Sequence, residues 1–171
     1  MDFFKTVEDR HSMRKYTGTP VEEEKLNKIL ETANKAPSAG NLQAYEIILV
    51  RDPERKQSLA AAALDQEFVV EAPVILVFCA HPARSSPKYA ARGEQLYSVQ
   101  DATIACTYAM LAATALGLAS VWVGAFEDQA VSAALNLPTG WLPVAILPLG
   151  YAARPSGPTP RRDLADLVHE D

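Results

Sequence analysis

Arg10, Ser12 and Arg14 stand at alternate positions in the stretch RHSMRKY, residues 10 to 16. In an extended segment these three share one face. In a helix Arg10 and Arg14 still would. Two guanidinium forks flanking a hydroxyl suit a phosphate, because arginine offers planar, always-charged, bidentate donors. A helical pattern over residues 2–10 precedes the cluster, so an anion would meet that helix's negative end. The side chains must then supply the charge themselves. A solvated basic turn has the same composition, and the cluster alone does not choose between the two.

A second group lies in KAPSAGNLQAYEIILV, residues 35 to 50. Pro37 turns Ala36 away from helical geometry. Gly40 permits positive φ and close backbone approach. Ser38 offers a hydroxyl, and Asn41 and Gln43 offer amides that donate and accept. That set suits a planar heterocycle edged with alternating C=O and N–H groups. Taken alone it is more often plain turn chemistry, which uses the same residues. A third group, TPRRDL at residues 159–164, carries Arg161 and Arg162. By itself it is a charged tail; beside Arg10 and Arg14 it would complete a phosphate cage.

Other chemistries find little support. There is no nucleophile triad, no HExxH and no Walker loop. Cys79 and Cys106 sit in apolar runs without metal-ligand spacing and read as core thiols. His81 and His169 have no partner visible in the sequence. The 171 residues carry a net charge of -5 and a pI of about 5.2, which disfavours general nucleic-acid binding. Hydrophobic residues make up 49% and charged residues 22%, the balance of one soluble domain. The start MDFFKTVEDR is charged and lacks an apolar h-region, so a cytoplasmic location is expected. Ala102 to Phe126 carries no charge and has spanning length, but its Ala, Thr and Gly content and its flanks Asp101 and Glu127 predict a buried helix followed by a strand, with no membrane partner.

The elements that must position these groups follow from periodicity. Helices are expected over residues 2–10, over 21–35 with Thr19 as N-cap, over 53–64 opened by Asp52 and Pro53, over 94–116, and over 128–135 ended by Asn136. Strands are expected over 46–51, 73–80, 118–123 and 142–149. Residues 85–92 read as polar and irregular. The 94–116 helix is apolar on nearly every side, more than a monomer this small can wrap. A homodimer in which two copies pack together is therefore expected. Helices alternating with strands outside strict βαβ order indicate an α+β layered domain.

The order of these groups is more specific than any one of them. Arg-His-Ser-x-Arg comes first, then Ala-Pro-Ser-Ala-Gly-Asn-Leu-Gln about 25 residues on. Trp122-Val-Gly-Ala-Phe126 follows the long helix, and Arg-Arg lies near the end. Over nearly the whole chain, including QDATIACTYAMLAATALGLASVWVGAF, this resembles the FMN-dependent nitroreductase family. The resemblance implies a single 1–171 domain with a mixed, mainly antiparallel central sheet flanked by helices. It also implies two FMN sites at a homodimer interface. Arg10, Ser12 and Arg14 would hold the FMN phosphate, with the His11 backbone nearby. Arg161 or Arg162 would reach the same phosphate, from a tail of about 152–171 extended over the partner. Pro37, Ser38, Asn41 and Gln43 would face the ribityl chain and ring, typically of the other subunit's FMN. Gly124 and Ala125 would bring backbone N–H groups to flavin N5 and O4, and Gln66 would touch the pyrimidine edge. Such enzymes use NADH or NADPH to reduce nitroaromatics, quinones or related small acceptors by ping-pong hydride transfer. The same scaffold also supports FMN fragmentation to a benzimidazole, small-molecule dehydrogenation, or flavin binding without turnover. The short span between residues 80 and 94 implies no large lid and an open pocket.

Overall fold

The computed structural model describes residues 2–171. The elements in chain order are α1 (Phe3–Asp9), α2 (Glu23–Ala33), β1 (Tyr45–Val50), α3 (Pro53–Ala62), α4 (Phe68–Glu71), β2 (Val74–Ala80), α5 (Pro82–Arg92), α6 (Ser98–Ala115), β3 (Ala119–Ser120), α7 (Asp128–Leu135) and β4 (Leu142–Gly150). The four strands form one sheet in the order β1-β2-β4-β3, with every neighbouring pair antiparallel. A parallel contact comes from outside the strands, where Ser12 bridges Ser120. The sheet is thus mixed but mainly antiparallel, as expected.

Side chains alternate between the two faces of the inner strands. Val74, Leu76, Phe78, Ala145, Leu147 and Leu149 face α2 and α6, where they meet Leu26, Ile29, Ala102, Ala105 and Ala109. Ile75, Val77, Cys79 and Ile146 face α3 and α7, where they meet Leu59, Ala62, Val131 and Leu135. Three layers result, helix on sheet on helix. The small side chains of Ala102, Ala105, Ala109 and Ala113, all fully buried, let α6 sit close to the sheet.

Local chemistry sets the boundaries. Asp52 caps α3 by accepting from the Arg55 N–H at 2.9 Å, with Pro53 in the first turn. Asn136 ends α7 in the left-handed region at φ 52°. The expected N-cap at Thr19 is corrected: α2 begins at Glu23, and the Glu22 carboxylate accepts from the Tyr151 hydroxyl instead of capping. The expected 118–123 strand shortens to Ala119–Ser120, with a further bridge from Val123 to Ile146. The common register places Pro148 opposite Val121, and proline brings no N–H to the ladder. Pro143 is accommodated where the β2–β4 register shifts between Phe78 and Cys79.

Residues 85–92, expected to be irregular, belong to α5, which is broken at Ala90, where the backbone leaves helical geometry at φ 47°. Pro82 occupies its first turn, where a missing N–H costs nothing, and Pro87 leaves a bond unmade without ending the helix. The residue that α5 buries is Ser85, so no apolar stripe marks the helix. A short π-helical turn, Gly93–Tyr97, joins α5 to α6. A Cβ at Gly93 would stand 2.7 Å from the Ser85 carbonyl, so glycine permits this close approach.

Cys79 and Cys106 are core thiols, fully buried on opposite faces of the sheet. Burial pushes the Cys79 thiol up to about 12 and raises Cys106 as well. Thiolate, the reactive form, is then negligible at pH 8. Neither cysteine should react with Ellman's reagent in the native protein at pH 8, and both should react in urea; fast native labelling would contradict this packing. Among the described residues no helix is long and apolar enough to cross a membrane.

Candidate functional site

The residues singled out above fall into three groups. The first is the 10–14 segment, which runs extended beside β3: Ser12 bridges Ser120, and the Met13 N–H donates to the Ser120 carbonyl at 3.0 Å. Alternation holds from Ser12 to Arg14 and ends there, since Lys15 is exposed and Tyr16 buried. Met13 and Tyr16 point into the core, at 4% and 6% exposure, while Ser12 and Arg14 lie exposed and Arg10 is half-buried. The Tyr16 hydroxyl anchors the segment by donating to the Met13 carbonyl at 2.8 Å. Lys15 is spent on Glu71 at 2.6 Å, and that bond holds the Glu71 carboxyl below its usual range. Among the described residues no carboxylate pairs with Arg10 or Arg14. Two uncommitted guanidinium groups with a hydroxyl between them fit a phosphate.

The second group is the loop from Ser38 to Ala44. Gly40, Asn41 and Gln43 all have positive φ, at 56°, 59° and 43°. Left-handed geometry at non-glycine residues is strained and clusters at functional sites. Ser38 Oγ accepts from the Gln43 N–H at 3.0 Å. The Gln43 side-chain amide donates to Asn41 Oδ1 at 2.6 Å, which couples the two amides. Pro37 and Ser38 line a cavity of about 480 Å³ with Tyr97, Gln100, Asp101 and Ile104 of the helical span behind them.

The third group follows β3 by four residues, at Gly124 and Ala125. Both are exposed, and no protein acceptor meets their N–H groups among the described residues. Free N–H donors on an exposed turn suit the C=O edge of a ring. Gln66 Nε2 donates to Ala63 O at 2.7 Å and to Ala125 O at 3.2 Å. Gln66 therefore steadies this turn, a role the sequence reading did not foresee.

Arg161 and Arg162 do not join the 10–14 segment within the chain. Arg161 donates to Thr159 Oγ1 at 2.7 Å, and Arg162 donates to the Asp166 carbonyl, both inside the tail. His11 lines a small cavity with Thr114, Leu118, Ala152 and Arg154, where the tail leaves the sheet. The sequence reading saw Asp101 only as a flank of the uncharged run and did not name Arg84. Asp101 Oδ1 accepts from the Ala39 N–H at 2.9 Å and Oδ2 from the Ala44 N–H at 3.2 Å. Arg84 donates to the Gln43 carbonyl at 3.0 Å and to the Leu42 carbonyl at 3.2 Å. A single carboxylate ahead of a 25-residue uncharged run was the available signal for Asp101. His81, without a visible partner in the sequence, meets Glu46 at 2.8 Å and packs on Trp141.

The chain thus presents two uncommitted guanidinium groups beside β3, an amide-rich strained loop and a turn of free N–H groups on a three-layer α+β scaffold. The chain belongs to the nitroreductase family, whose model matches residues 7–69 and 53–151. It is 36% identical to an NADH dehydrogenase of Thermus thermophilus, over 93% of this chain and 91% of that protein. It is 32% identical to an FMN reductase [NAD(P)H] of Bacillus subtilis, over 99% and 74% of the two chains. Its fold superimposes with a TM-score of 0.91 on the NADPH:FMN oxidoreductase of Vibrio harveyi solved with NAD+, at 27% identity, covering 99% of this chain and 76% of that one.

Proposed function

We propose that this protein is an FMN-dependent NAD(P)H oxidoreductase that works as a homodimer. The observation that carries the reading is the pair of uncommitted guanidinium groups, half-buried Arg10 and exposed Arg14, flanking exposed Ser12 in a chain of this family. These residues hold the FMN phosphate, with the His11 backbone beside them. Pro37, Ser38, Asn41 and Gln43 address the ribityl chain and ring. Gly124 and Ala125 donate N–H bonds to the ring edge, on a turn that Gln66 steadies. FMN, when bound, supplies reversible hydride chemistry. The protein's share is binding, orientation and a planar surface on which nicotinamide and acceptor take turns. Nitroaromatics, quinones and related planar acceptors are the class proposed.

The case for the homodimer rests on what a single chain leaves uncovered. Tyr108, Leu111, Ala112 and Ala115 of α6 form a cavity of about 600 Å³ with Phe3 of α1 and Thr32 of α2. Phe3 is 63% exposed and Phe4 77%, too apolar a face for a lone domain. The tail beyond Ala153 is exposed throughout except Ser156, with Leu164, Leu167 and Val168 facing solvent. A tail that packs on nothing of its own suits a partner surface, and from there Arg161 or Arg162 would reach the phosphate.

Anaerobic titration with NADH and with NADPH tests the activity. The purified protein should be yellow, and one or both donors should bleach it before a nitroaromatic or quinone restores the colour. Protein that binds no added FMN overturns the reading; bound FMN that neither donor bleaches overturns the enzyme.

A further inference from the structure

We propose that Asp101 is a positioning residue which, with Arg84, holds the 38–44 loop in the shape that the cofactor requires. The proposal rests on the FMN reading above. Asp101 is 2% exposed, and among the described residues no cation pairs with it. A buried carboxylate is unfavourable unless its oxygens are satisfied. Here the satisfaction comes from the loop itself. One oxygen takes the Ala39 N–H and the other takes the Ala44 N–H, the two ends of the strained segment.

The tip is held from the other side. Arg84 Nε donates to Gln43 O at 3.0 Å, and Nε and Nη2 both reach Leu42 O at 3.2 Å. A carboxylate on α6 thus binds the loop's amides, and a guanidinium on α5 binds its carbonyls. Between the two clamps lie Gly40, Asn41 and Gln43, each at positive φ. An unsupported chain would relax Asn41 and Gln43 toward negative φ, whereas glycine tolerates either sign. The clamp therefore keeps Asn41 exposed and the coupled Gln43 amide at the surface, where a flavin can meet them. Asp101 also lies on the helix whose outer face is the proposed dimer seam. Loop geometry and subunit packing are then set by the same rigid element.

Asp101→Asn keeps the size but turns an NH2 donor toward a backbone N–H. Arg84→Ala removes the opposite clamp from an exposed side chain. Both variants should keep the wild-type far-UV circular dichroism and the wild-type mass. Asp101→Asn should raise the FMN dissociation constant at least tenfold, Arg84→Ala at least threefold, and Arg84→Lys should recover part of that loss. The visible-region circular dichroism of the bound flavin should change in both, and the Ala39 and Ala44 amides should exchange hydrogen faster without FMN. If Asp101→Asn does not fold, Arg84→Ala carries the test. Variants with wild-type affinity, flavin spectrum and amide exchange overturn the clamp, while wild-type protein that takes up no FMN overturns the cofactor reading beneath it.

Discussion

Arg14→Ala raises the dissociation constant for FMN by about 30- to 150-fold, whereas Lys15→Ala changes it by less than about threefold. The two cations are neighbours in the chain with opposite fates in the fold. Lys15 reaches back to Glu71 at 2.6 Å, an exposed pair worth at most about 1 kcal/mol. Arg14 has no carboxylate partner among the described residues and shares its outward face with Ser12. A charge-assisted bond to phosphate contributes about 2–3 kcal/mol, and each 1.4 kcal/mol is about tenfold in affinity. Fluorescence titration of apo-protein with FMN measures both variants. Equal effects would remove Arg14 from the phosphate site.

Leu111→Arg leaves a folded chain that sediments as a monomer and has lost most of its flavin. Leu111 lines the apolar cavity between α6, α1 and α2, on the side of α6 that the sheet does not cover. Against a second copy, an unpaired guanidinium would have to be desolvated, at a cost of several kcal/mol. Association should weaken at least about a hundredfold, since each 1.4 kcal/mol is tenfold. Within one chain Leu111 is half-buried, so far-UV circular dichroism should be nearly unchanged. Sedimentation velocity at micromolar concentration reads the mass, and absorbance at the flavin band reads the cofactor. A variant that stays dimeric and yellow would place the interface elsewhere.

Much of the scaffold was legible because burial there leaves a period. The run VILVFCA is buried on both faces and reads as an inner strand, which β2 is. Leu26, Ile29 and Ala33 repeat on one face of α2 and pack against the sheet. Two features left no such trace. The buried residue of α5 is a serine, and its prolines mimic a loop. At the start of α2 the Glu22 carboxylate accepts from the hydroxyl of Tyr151, 129 residues away, a contact that no local spacing signals. Within the candidate site, the residue types at 10–14 and 38–43 suggested the contacts proposed above. What holds them in place was not legible, because Asp101 and Arg84 act on backbone atoms of a loop distant in sequence, and backbone atoms carry no residue type.

The strand order has a consequence for synthesis. β4 is the last strand in the chain, yet it lies inside the sheet, between β2 and β3. Until residue 150 has left the ribosome, β2 has only β1 beside it, and its other edge stands open with Val74 to Ala80 exposed. Long-range pairing of this kind is slow, and open apolar edges are where nascent chains aggregate. This domain can close its sheet only once β4 has been made.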